Sequence, residues 1–267
     1  MKPRYSFLIP GLLGPGLLGL VLGATTANIA SAQTRARAPS TDELIDKHLA
    51  ARGGATALKA IHAVKMTGAM RPAGFDVQLT YEETVARPGS VRINATLQGL
   101  TVVQAYDGAS GWQIQPFQGR KDPESVSADD VKALAEEADF DGALIDYKAK
   151  GATIDNLGSI DVDGAPTWAL RVSLKNGDQM TYYLDPDAFL TVRVVTRQVL
   201  RGAEVYSQTD YGDYEKVDGV YFPMEVASGP KGSSAQTRIT YDTIIANPPV
   251  DAALFARPAA PATSSAH

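Results

Sequence analysis

The sequence predicts a mainly β protein: one large antiparallel sheet of about ten or eleven strands, curved, with two helical segments laid across one face. Three observations carry this. From Ile61 to Asn247 the apolar residues recur at every second position, the period of a half-buried strand. Turn-forming clusters cut that stretch into short runs: Arg71-Pro72-Ala73-Gly74, Arg87-Pro88-Gly89, Asp107-Gly108, Asp163-Gly164, Asn176-Gly177-Asp178, Asp185-Pro186-Asp187, Arg201-Gly202, Asp218-Gly219 and Gly229-Pro230-Lys231-Gly232. Such spacing belongs to consecutive hairpins and not to βαβ units. Only two segments carry the capping residues and the three-to-four apolar spacing of a helix.

The N-terminus sets the compartment. Lys2 and Arg4 precede a stretch from Tyr5 to Thr34 without charge, with an apolar centre at Leu17-Leu18-Gly19-Leu20-Val21-Leu22. Ala30-Ser31-Ala32 then fits the small-x-small cleavage pattern, so residues 1–32 are expected to be a secretory signal peptide and Gln33 the new N-terminus. Pro10, Pro15 and five glycines interrupt the stretch as a membrane-spanning helix. No other segment approaches the ~20 apolar residues of a span, so the mature chain is expected to be soluble and periplasmic.

Residues 33–39 read as a flexible lead-in. Ser40-Thr41-Asp42-Glu43 is a capping box, with Glu43 three residues beyond the capping hydroxyl. Leu44, Ile45, His48 and Leu49 form the buried face of the helix that follows, and Gly53-Gly54 ends it. A short helical turn is expected over Ala55 to Ala60. Among the strands, Thr167 to Leu174 alternates most cleanly: Trp168, Leu170, Val172 and Leu174 on one face, Ala169, Arg171 and Ser173 on the other. Asp178 to Leu184 repeats the pattern, and Asn176-Gly177 between them predicts a two-residue type I′ hairpin. Ser127-Ala128-Asp129-Asp130 caps the second helix, with Val131, Leu134 and Ala135 inward and Glu136 and Glu137 outward. The tail, residues 258–267, is rich in Pro, Ala and Ser and is expected to be disordered.

Composition narrows the function. There is no cysteine, so an exported chain of this kind has no disulfide and no thiol to acylate; its stability rests on its core. Net charge is −5 without basic runs, which disfavours nucleic acid and electrostatic docking on an anionic membrane. The motifs that could carry chemistry have ordinary structural readings. The histidines of the exported chain, His48, His62 and His267, show no metal-ligand spacing. Gly108-Ala109-Ser110-Gly111-Trp112 misses the nucleophile-elbow spacing by one residue and sits between strands. Gly119-Arg120-Lys121 lacks the spacing of a phosphate loop. Asp161-Val162-Asp163-Gly164 and Asp185-Pro186-Asp187 lack the further ligands of a calcium loop and read as turns. Glu136, Glu137, Asp139 and Asp141 read as a solvated helix end. No catalytic residue, metal site or cofactor is predicted.

A curved sheet under two helices makes a concave apolar chamber. The residues expected to line it are Met66, Val102, Trp112, Ile114, Phe117, Trp168, Leu170, Val172, Met180 and Tyr182. The competing reading for each is an ordinary filled core.

Four segments carry a resemblance. Val103 to Gly108 followed by Gly111 to Arg120, with Tyr106-Asp107-Gly108, Trp112 and Pro116, resembles the strand pair of outer-membrane lipoprotein-sorting (LolA-like) proteins. The opening Glu43 to His48 with Arg52-Gly53-Gly54, the Tyr183-Leu184-Asp185-Pro186 turn with Phe189-Leu190, and the closing Asn247 to Phe255 are similar to the same family. Together they span about Ser40 to Pro258, and the family-like domain is placed at 40–257. The resemblance implies an unclosed, strongly curved β half-barrel of about eleven strands with helices plugging its concave face. It implies acyl chains bound in that cavity: a periplasmic carrier or chaperone for lipid or lipoprotein, acting as a monomer with an inner- or outer-membrane handover partner. The alternative it leaves is an envelope sensor or scaffold that binds a protein partner. No site residue is transferred from the family.

Overall fold

The computed structural model describes residues 37–200 and 202–258. The expected signal peptide and most of the lead-in and tail lie outside the described residues.

Thirteen strands form one sheet, every pair of neighbours antiparallel. The first six are β1 (Ala63–Arg71), β2 (Leu79–Ala86), β3 (Ser90–Leu97), β4 (Leu100–Tyr106), β5 (Gly111–Gln115) and β6 (Arg120–Ser125). The other seven are β7 (Thr153–Val162), β8 (Ala165–Ser173), β9 (Gln179–Leu184), β10 (Thr191–Leu200), β11 (Ala203–Val217), β12 (Val220–Pro230) and β13 (Thr237–Ala246). The order across the sheet is β6-β5-β4-β3-β2-β1-β13-β12-β11-β10-β9-β8-β7. Two meanders therefore meet at the β1–β13 pair, and β6 and β7 are the outer edges.

The strand count exceeds the expected eleven because two links are less conspicuous in the sequence. Gln98-Gly99 joins β3 to β4 with both residues left-handed (φ 51° and 78°), the type I′ geometry. A 3-10 turn at Pro116–Gln118, closed by left-handed Gly119, joins β5 to β6. The β8–β9 link corrects a second expectation. Only Gly177 of Asn176-Gly177 is left-handed (φ 90°); Gly177 N–H donates to the Leu174 carbonyl at 3.0 Å. This is a three-residue loop with glycine at the left-handed position. The Asn176 amide is engaged instead with Asp178, through two bonds of 2.9 and 3.0 Å.

The helices form as their caps predict. In α1 (Thr41–Ala51) both bonds of the Ser40–Glu43 capping box are made. α2 (Ala55–Ala60) follows Gly53-Gly54. A Cβ on Gly53 would lie 2.2 Å from the Gly219 carbonyl oxygen, so only glycine lets the end of α1 dock on the β11–β12 turn. α3 (Ala128–Glu137) is capped by Ser127 and lies on β5: a Cβ on Gly111 would meet Val131 of α3 at 3.3 Å and Leu134 at 3.4 Å.

Topology dictates the curvature. The chain leaves β6 at one edge and must reach β7 at the other, so residues 126–152 cross a whole face. Thirteen flat strands would spread over about 58 Å. α3 spans only ~15 Å, and residues 139–151 fold back through turn bonds such as Gly142 to Asp139 and Lys150 to Asp146. A link that short requires the edges to curl toward each other. The concave face is filled at one end, where Leu44 and Ile45 of α1 and Leu144 of the crossing segment pack on Leu170, Val172, Leu184 and Val194. The convex face is covered locally by the C-terminal segment, whose Phe255 packs on Ala63 and Ala86.

Candidate functional site

Between the filled end and α3 the concave face is not filled. A hollow of about 710 Å³ lies beneath α3 and the 138–152 segment, which together roof it. The volume falls within the ~300–1,000 Å³ of small-molecule pockets. Its apolar wall includes Met66, Ile93, Met180, Phe222, Val226 and Ile239.

Three of the ten residues expected to line a chamber meet in this wall: Met66, Met180 and Tyr182. Seven do not. Leu170 and Val172 are completely buried and Trp168 packs beside them, all in the filled end under α1. Trp112 and Ile114 point the other way and pack on the convex side with Val103 and Ala105. Trp112 Nε1–H donates to the Phe255 carbonyl at 2.8 Å, and the Arg92 guanidinium stacks 5.5 Å from its ring. Phe117 is exposed at the rim in the β5–β6 turn. Val102 pairs with Ala95, outside the wall of the hollow.

The polar residues of the hollow are what sequence reasoning missed. Glu136 and Glu137, expected to face outward, line it. Glu137 keeps accessible surface and lines the hollow. α3 presents these carboxyls because its apolar stripe is narrow. Leu134 and Ala138 pack on Val85 and Val91, and the neighbouring positions overhang the empty part of the sheet. Glu83 of β2 is wholly buried at the centre of the wall. Its Oε2 accepts from the Tyr81 hydroxyl at 2.8 Å and the Tyr241 hydroxyl at 3.3 Å. Glu83 and Glu137 share a further hydrogen bond. Burial and the neighbouring Glu137 hold the Glu83 carboxyl well above the usual range, and burial raises Glu137. One proton between them serves both, since the charge of one carboxylate opposes ionisation of the other beside it. Burial, helped by Asp178, pushes Glu136 up to about 7, against the hydrogen bonds it accepts from Gln198. The sign was present in the sequence: in β2 Glu83 shares the parity of Tyr81 and Val85, the inward face.

Four ties hold the roof. The Arg87 guanidinium forks onto Asp141 at 2.5 and 2.8 Å, donates to the carbonyls of Ile61 and Leu58, and lies 4.8 Å from the Phe140 ring. Lys132 of α3 pairs with buried Asp178 at 2.5 Å. Glu136 meets Gln198 of β10 at 2.9 Å. Lys59 of α2 pairs with Asp146 at 2.7 Å. His48 is buried with Nδ1 2.9 Å from the Phe189 carbonyl oxygen; burial lowers it to about 4, so it stays neutral. Among the described residues no group of three His, Asp or Glu side chains could hold a metal ion, and no helix is long and apolar enough to cross a membrane.

An open, strongly curved antiparallel sheet around a roofed hollow defines a LolA-like fold. Its described part aligns with a LolA superfamily protein from Nitrosomonas europaea at a TM-score of 0.56 and 12% identity, over 82% of this chain and 98% of that one. A domain from Vibrio parahaemolyticus named for outer membrane lipoprotein sorting aligns at a TM-score of 0.53 and 12% identity, over 80% and 94%. No protein-family model matches the sequence, and no curated protein does.

Proposed function

We propose that this chain is a periplasmic carrier or chaperone that holds lipid, or the acyl chains of lipoproteins, in the hollow beneath α3. The observation that carries this reading is the hollow itself, about 710 Å³ with Met66, Phe222, Val226 and Ile239 in its wall. Each CH₂ buried there contributes ~0.8 kcal/mol, offset by the cost of ordering the chain. Polar ties at the roof's margin suit a cover that opens and recloses around cargo. The likeness in fold to the Vibrio parahaemolyticus lipoprotein-sorting domain supports the same reading. Export by residues 1–32, action as a monomer and handover to a membrane-side partner are parts of the proposal; no metal or cofactor takes part.

The test fills the space. Ala133 lines the hollow from the roof. Chain purified from envelopes is expected to carry lipid in native mass spectrometry, and Ala133→Trp is expected to lose that lipid while keeping its melting temperature. Equal lipid in both forms, or none in the wild type, overturns the proposal.

A second reading, docking of a protein partner, is favoured by the exposed apolar residues Phe75, Val77, Leu100 and Phe117 in the hairpin ends along one rim. Loss of a co-purifying protein in Phe75→Ser, with lipid retained, would support it.

A further inference from the structure

The hollow holds a cation that the protein does not neutralise. Arg52 caps the C-terminus of α1, and its main chain is fixed by the Tyr221 N–H at 2.9 Å. Its side chain lines the hollow. Asp141, the nearest candidate partner, gives its carboxylate to Arg87 and offers Arg52 only its carbonyl, at 3.4 Å. The buried Nε of Arg52 makes no hydrogen bond, and among the described residues no carboxylate forms an ion pair with it. A guanidinium whose Nε is buried without a partner is costly unless a ligand completes it.

Its neighbours are hydroxyls. The charge of Arg52 acts on Tyr182, Tyr211 and Tyr214, partly opposing the upward push of burial on each. Tyr214 spends its proton on the Thr191 carbonyl at 2.8 Å. Tyr182 accepts from the Ala143 N–H at 3.1 Å and keeps its own proton to donate. Tyr211 makes no hydrogen bond to the described residues and lines the hollow. One end of the cavity thus gathers a guanidinium and two hydroxyls with protons to donate, beside a wall of Met66, Val226 and Ile239 that can take a tail.

We propose that Arg52, with the hydroxyls of Tyr182 and Tyr211, seats the anionic headgroup of a single-chain amphiphile, a carboxylate or a phosphate monoester, whose tail lies in the hollow. Donors grouped in this way match oxygens that only accept, and a guanidinium recognises both groups by paired bonds. Carboxyl groups also stand at this end: Asp139 and Glu136 act on Tyr182, and Glu137 acts on Tyr211. Asp139 is paired with Lys150, and burial pushes Glu136 up to about 7 and raises Glu137, so they cancel only part of the cation. This inference rests on the ligand-holding reading above.

The experiment measures displacement of the neutral dye N-phenyl-1-naphthylamine from delipidated protein by palmitate, hexadecyl phosphate and hexadecanol. At least one anion is expected to bind ten-fold or more tighter than the alcohol, and which one identifies the headgroup. Arg52→Gln is expected to remove that preference with the alcohol unchanged within two-fold; Arg52→Lys restores part of it, and Tyr211→Phe weakens the anion about three-fold. If wild-type protein binds the alcohol as well as both anions, the headgroup seat is wrong and the carrier reading stands. The headgroup seat is equally wrong if Arg52→Gln keeps the preference. If none of the three displaces the dye, both proposals fall. The wild-type comparison needs no variant to fold.

Discussion

At the scale of the residue, Glu83 is the unusual choice. An inward-facing carboxyl in an apolar wall is stabilising only while neutral and hydrogen-bonded, a condition met by Tyr81, Tyr241 and Glu137. The folded protein holds its proton to higher pH than the unfolded chain does. Stability from this group is therefore complete below the ordinary glutamate range and is lost as pH rises toward the raised folded value. Glu83→Gln keeps the hydrogen-bonding capacity and removes the ionisation. We expect its melting temperature to fall less than the wild type's between pH 5 and 8; parallel curves would show that Glu83 does not titrate as described. Trp112 gives the complementary case. Its indole N–H is tied to Phe255 on the convex side, so Trp112→Phe is expected to lose about 1–3 kcal/mol in urea unfolding while ligand displacement is unaffected. The sequence offered Trp112 as a candidate for the chamber but did not say which face it occupies, because period two separates two faces without saying which is concave. In β4 and β5 both faces are covered, one by α3 and one by the C-terminal segment, so burial could not decide. Glu83 was legible from its parity with Tyr81 and Val85, yet the partners that make it tolerable, Tyr241 and Glu137, come from 158 residues along the chain and from another helix.

At the scale of the element, local chemistry was legible and height above the sheet was not. The capping box of α1, the serine cap of α3 and the glycine after α1 specify helix ends through contacts within four residues, and the hairpins follow from turn residues in the same way. Whether a helix sits low enough to fill the face beneath it depends on the distant strands that receive it. α1 descends until Leu44 meets Leu170 and Val172. α3 is held against β5 by Gly111 and leaves the middle of the face open. Two substitutions separate docking from covering. Gly53→Ala places a Cβ in the Gly219 carbonyl and strains a φ of +117°, so it should destabilise by at least 2–3 kcal/mol in denaturant melts; a change within 0.5 kcal/mol would mean the α1 end can move freely. Arg87→Ala removes the fork to Asp141 and the bonds to Ile61 and Leu58. Its expected signature is local: faster amide hydrogen exchange over residues 139–151 with β1 and β13 unchanged.

At the scale of the whole molecule, the open sheet and the crossing segment are one device. Closing the sheet by pairing β6 with β7 would remove both edges, yet the chain instead uses the link between those strands to cover the concavity. The sheet is the rigid part, since each interior strand is hydrogen-bonded on both sides. The roof rests on α3 packing and a few polar ties. Ligand exchange should therefore require roof motion while the sheet stays intact. Because the chain has no cysteine, a bridge can be placed without interference. Glu136→Cys on α3 and Gln198→Cys on β10 occupy positions now joined by a hydrogen bond of 2.9 Å, and a short bis-maleimide would tie roof to sheet there. The tied protein is expected to exchange a fluorescent fatty acid at least ten-fold more slowly than the untied double variant, with unchanged circular dichroism. Exchange at equal rates would place the route of ligand entry somewhere other than beneath α3.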